Sequence, residues 1–99
     1  MAEKRSNQNQ NRKLGVRQLA QQASGELEQL LGRPVSSVLG VRRDDDDGWE
    51  VTLEIVEVDR IPETTSIMGV YAVNLDQQGE VMGYRRTRRY HRGQPSEDG

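Results

Sequence analysis

The chain has 99 residues, enough for one domain with one modest core. Hydrophobic residues make up 32 % and charged residues 30 %, and Phe is absent, so any core must rest on Leu, Val, Ile, three Tyr and Trp49. A net charge of −2 gives no global attraction to nucleic acid or to a membrane, and the lack of Cys excludes disulfides, thiolate zinc sites and Cys nucleophiles. No apolar run approaches the roughly 20 residues of a membrane-spanning helix, and the polar N-terminal stretch has no secretory apolar segment. The expected setting is a cytoplasmic soluble protein.

Residues 1–13 are Lys, Arg, Asn, Gln and Ser with almost nothing apolar. Such a segment buries too little surface to offset its ordering entropy, which predicts a disordered tail. Residues 93–99 read as a second, flexible tail. Residues 14–92 then form a single α+β domain.

Within it, Val16, Leu19, Ala20, Ala23, Leu27, Leu30 and Leu31 recur at steps of three and four. That spacing predicts an amphipathic helix over 14–31. Gly32 supplies its C-cap and Pro34 prevents continuation. Gly25 weakens the helix by about 1 kcal/mol against Ala; close contact with a sheet or a tolerated defect would each account for it.

After Pro34 the period becomes two. A first strand is predicted at 35–43, with Val35, Ser37, Leu39 and Val41 sharing a parity. Asp44 to Gly48 turns the chain, Asp47-Gly48 being the hairpin signal. The second strand, 49–59, puts Trp49, Val51, Leu53 and Ile55 on one face. Val56 and Val58 then take the other parity, which points to a β-bulge or to a strand end covered on both sides. Pro62 opens a loop through Ser66. The third strand, 67–76, has Tyr71, Val73 and Leu75 on one face and Met68, Val70 and Ala72 on the other. Asp76 to Gly79 forms a tight turn into a fourth strand at 80–92. The prediction is one N-terminal helix packed on an antiparallel meander of about four strands.

Catalytic constellations are hard to assemble from these residues. His91 is the single His, the serines lack a nucleophile-elbow context, and no phosphate-binding glycine loop occurs. The run Asp44 to Asp47 lacks the spacing by which a loop wraps calcium, and reads as a solvated turn. No enzyme, metal or cofactor is expected.

The most distinctive stretch is Tyr84 to Arg92, with five arginines and two tyrosines. Alternation would put Tyr84, Arg86, Arg88, Tyr90 and Arg92 on one face and Arg85, Thr87, Arg89 and His91 on the other. Arginine beside tyrosine suits a nucleic-acid surface or a protein interface. It also suits an internal role, because residues 50–80 hold seven acidic side chains against Arg60 alone. Glu50, Glu54 or Glu57 near the arginine strand would form cross-strand pairs.

Several segments together resemble the gas vesicle protein O family. They are Gly48 to Val51, Glu54 to Glu63 with its Arg60-Ile61-Pro62 core, Val70 to Asp76 with Gly79-Glu80, and Gly83 to Tyr90. The sequence departs from that pattern at Ser66, where an acidic residue is common, and at Ala72, where Glu is common. The resemblance implies an accessory protein of gas vesicle assembly that binds other gas vesicle proteins, with no small-molecule substrate and no membrane. It implies partner-contact roles for Arg60, Pro62, Glu63, Tyr71, Tyr84, Arg86, Arg89 and Tyr90. The alternative is a nucleic-acid-binding or regulatory protein of gas vesicle expression that uses the arginine-rich strand.

Overall fold

A computed structural model describes residues 15–45 and 47–94. The expected tail at 1–13 and most of the one at 93–99 lie outside the described residues. The described chain forms helix α1 (Val16–Leu31) followed by strands β1 (Val35–Arg43), β2 (Trp49–Val58), β3 (Ile67–Leu75) and β4 (Val81–His91). All neighbouring strands pair antiparallel, in the order β1-β2-β3-β4. One helix on a four-stranded meander is the architecture that the change of hydrophobic period predicts.

α1 ends as its residues dictate. Gly32 adopts φ 71°, and its N–H donates to the Glu28 carbonyl at 2.8 Å. At the other end, Gly15 offers no capping side chain, but Gln18 Oε1 reaches back to accept its N–H at 3.0 Å. Leu19, Ala23 and Leu27 are fully buried against Val51, Leu53, Ile55, Tyr71, Val73 and Leu75. Val16 and Leu30, assigned to the same stripe, lie at its exposed margins. Gly25 is exposed, and a Cβ there would meet nothing within 4 Å. Close approach to the sheet therefore does not explain that glycine.

The helix crosses the sheet obliquely. Its first turn borders Gln78, Gly79 and Glu80 of the β3–β4 turn. Its last turn stands over the start of β1, where Glu28 Oε2 accepts the Val35 N–H at 2.8 Å. Among the described residues no helix stands over the sheet corner made by the ends of β2 and β4.

Bulges decide which side chains share a face. The slip expected after Ile55 is a bulge between Val56 and Val58. Two strands predicted as uninterrupted are also broken. In β1, shifts at Ser36 and Leu39 put Val35, Val38 and Val41 opposite Ile55, Leu53 and Val51, on the helix side. Ser37 instead pairs with Glu54 on the outer face, and Leu39 is 52 % exposed. In β4, the extra residues are Met82 and Thr87. Tyr84, Arg86 and Arg89 pair with Val73, Tyr71 and Gly69 on the helix side, whereas Arg85, Arg88 and Tyr90 pair with Ala72, Val70 and Met68 on the outer face. Simple alternation had grouped Arg88 and Tyr90 with Tyr84 and Arg86, and had put Arg85 with Arg89.

Candidate functional site: a basic sheet corner and an ordered loop

Glu57 organises the uncovered corner. Its carboxylate accepts a hydrogen bond from the Tyr71 hydroxyl at 2.6 Å and pairs with the Arg86 and Arg89 guanidinium groups at 3.1 Å each. Tyr71 stands on the adjoining strand β3, whereas Glu57 and the two arginines of β4 must meet across β3, a span of about 10 Å of sheet. Gly69 makes this possible: a Cβ at that position would collide with the Glu57 carboxylate. The Tyr84 ring stands 6.1 Å from that of Tyr71, tilted by 56°, within the centroid range of interacting aromatic pairs.

The electrostatics follow from these contacts. Burial pushes the Glu57 carboxyl up, but the hydrogen bonds from Tyr71 and Arg86 and the charges of Arg86 and Arg89 outweigh it, holding the group below its ordinary 4.5. Burial, reinforced by the bond to Glu57 and its charge, raises the Tyr71 hydroxyl above 10.

The outer face repeats the pattern. Glu50 pairs with Arg42 at 3.0 Å and, over the small Ala72, with Arg85 at 3.5 Å. Glu54 accepts the Tyr90 hydroxyl, a bond that together with burial and the Glu54 charge raises the tyrosine. The Arg88 guanidinium lies over the Tyr90 ring, 4.9 Å from its centre.

Arg60, Pro62 and Glu63 share the loop that joins β2 to β3, at the same end of the sheet as Arg89. A single 3-10 turn, Glu63–Thr65, gives the loop its shape. Ser66 fixes it from within: its fully buried hydroxyl accepts the Arg60 N–H at 3.0 Å and donates to Asp59 at 3.5 Å. The end of β4 ties it from outside, through Arg92 N–H to the Ser66 carbonyl, Gly93 N–H to the Thr64 carbonyl (2.8 Å each) and an Arg92–Glu63 ion pair at 3.0 Å.

The eight residues singled out from sequence thus fall into three places. Tyr71, Arg86 and Arg89 gather around Glu57, with Tyr84 against the Tyr71 ring on the side away from it; Arg60, Pro62 and Glu63 form the loop, and Tyr90 belongs to the outer face. Sequence reasoning named Glu57 as a possible ion-pair partner but missed Gly69, on which its position depends. It also passed over Ile61, whose signal was an apolar residue set between Arg60 and Pro62 in a polar loop.

Comparison with known proteins bears on this arrangement. The family model described as "Gas vesicle synthesis protein GvpO" matches residues 2–96. Gas vesicle protein O of a Streptomyces strain is 44 % identical over 71 residues, covering 72 % of this chain and 55 % of that protein. Gas vesicle protein O of Haloferax mediterranei is 31 % identical over 93 residues, covering 94 % of this chain and 66 % of the relative. Gas vesicle protein O1 of Halobacterium salinarum is 42 % identical over 53 residues, or 54 % of this chain and 44 % of the relative. The chain therefore spans roughly half to two thirds of these relatives' lengths. No solved structure matches. With the match running through helix, meander and loop alike, the chain belongs to the gas vesicle protein O family.

Proposed function

We propose that the protein is a non-catalytic accessory factor of gas vesicle assembly that works in the cytoplasm by contacting other gas vesicle proteins. The observation that carries this reading is the family match over residues 2–96. The sheet corner supplies a suitable surface. Arg86 and Arg89 share one carboxylate, so the trio retains a positive charge, and the two arginine side chains are about half exposed. Guanidinium groups already held in place lose little freedom when a partner's carboxylate arrives. Arg60, Pro62 and Glu63 are assigned contact roles in the adjoining loop and Tyr90 one on the outer face, Tyr84 supports the Tyr71 ring, and Tyr71 positions Glu57.

The nucleic-acid alternative loses ground to the ion pairs. Arg85, Arg86, Arg89 and Arg92 each face a glutamate, and among the described residues Arg88 alone in this strand has an aromatic ring instead. A strand so compensated is a weak counter-charge for a phosphate backbone.

Deleting the gene tests the reading. Cells should form few or no gas vesicles while the shell gene is still transcribed, and purified protein should capture at least one other gas vesicle protein. Arg89→Ala should weaken that capture with little change in melting temperature, because Tyr71 and Arg86 still hold Glu57. Normal gas vesicles in the deletion strain would overturn the proposal. Tight, sequence-selective RNA or DNA binding would favour the regulatory reading.

A further inference from the structure

Ile61 is 99 % exposed at the tip of the β2–β3 loop. A lone apolar side chain on a surface is ordinary. This one is distinguished by its mounting. Ser66, Arg92 and Gly93 bond the loop from both sides, and the Thr65 N–H and hydroxyl both donate to the Pro62 carbonyl, at 2.9 and 2.7 Å. The tip is thus presented in one shape, which lowers the entropy lost on docking.

The opposite end of the same sheet carries a groove of about 650 Å³ between the β1–β2 and β3–β4 turns, a size suited to receiving several side chains. Met82, 70 % exposed, and Tyr84 provide apolar wall, with Asp44, Asp76 and Arg85 also lining the groove. Met82 stands there because it is a bulge residue of β4, outside the regular pairing. Among the described residues Arg60 makes no ion pair, and the groove lining carries a net negative charge: Asp44 and Asp76, whose Oδ1 atoms also accept turn N–H groups, against Arg85.

We propose that the domain associates head to tail with a second copy of itself, Ile61 and Pro62 of one copy seated in the groove of the next and Arg60 facing Asp44 and Asp76. Loop and groove are different surfaces at opposite ends of an antiparallel meander, and the proposed stacking is end to end. The interface is heterologous, and successive copies continue as a short chain with a repeat of about 30 Å, the span of a strand of this length. This goes beyond the gas vesicle reading and does not depend on it.

Sedimentation velocity of the purified full chain tests the proposal. Between about 10 µM and about 1 mM, a range suited to a small interface, the weight-average mass should rise well above that of the monomer and fall back with added salt. Ile61→Asp and Met82→Asp, both at exposed positions, should each be folded by circular dichroism and monomeric. Mixed in equal amounts they should give a one-to-one dimer and nothing larger, since one intact loop then meets one intact groove. Ile61→Ser and Met82→Gln serve the same purpose should either aspartate variant fail to fold. A parent that stays monomeric throughout, or a mixture that does not dimerise, would overturn the proposal. Neither result touches gas vesicle formation, which is read by gene deletion.

Discussion

Three donors converge on Glu57, and the residue beneath it, Gly69, has no side chain. Glu57→Gln should cost about 1–3 kcal/mol, the range for disturbing a buried hydrogen-bonded group. Gly69→Ala pushes the same carboxylate off its partners, so the two substitutions should be non-additive, with a coupling of about 0.5–3 kcal/mol in a denaturation cycle. Additive effects would mean that the Cβ clash is relieved elsewhere. The pH dependence has a definite sign. The folded Glu57 carboxyl lies below its ordinary 4.5, so its stabilisation is present above that value and is lost as pH falls through the folded pKa. The folded Tyr71 hydroxyl lies above 10, so its share is full below pH 10 and disappears as pH rises through the raised value. Acid titration of parent and Glu57→Gln should therefore show the stability gap narrowing below about pH 4.5.

At the scale of the elements, α1 holds one avoidable weakness. Gly25 is exposed and mid-helix, with open space where a Cβ would go. Gly25→Ala should raise stability by about 0.5–1 kcal/mol, read as a higher denaturation midpoint. Leu27→Asp, in contrast, puts an unpaired charge among Val51, Leu53 and Ile55 and should cost several kcal/mol. Equal midpoints for these two variants would contradict the assigned face. The helix itself was legible because Leu19, Ala23 and Leu27 obey one period, and Gly32 and Pro34 stop it unambiguously. The bulges of β1 and β4 were not. Ser36-Ser37 and Val38-Leu39 place chemically similar neighbours side by side, so a slip of one residue leaves no mark on the pattern. In β4 the outward and inward positions are both arginine. Only the pairing partners reveal that Arg86 and Arg89, three apart, share a side.

Taken as a whole, the molecule spends most of its arginine-rich strand on its own carboxylates. The count of seven acids in residues 50–80 against Arg60 made that internal use legible. The reach across β3 was not, because it depends on the small side chains at Gly69 and Ala72. Among the described residues β1 and β4 are the edges of the sheet, and each is broken twice: β1 at Ser36 and Leu39, β4 at Met82 and Thr87. An incoming strand finds straight runs of only a few residues, and along β4 it meets arginine after arginine. Bulges and edge charge are how β-proteins resist sheet-to-sheet growth. Removing Thr87, whose hydroxyl donates to the Val70 carbonyl at 3.2 Å, should lengthen the regular run of β4 and make amyloid-type aggregation, followed by thioflavin fluorescence, faster than in the parent. The kink that carries Arg89 to the side of Glu57 is, by the same geometry, a guard against fibril formation.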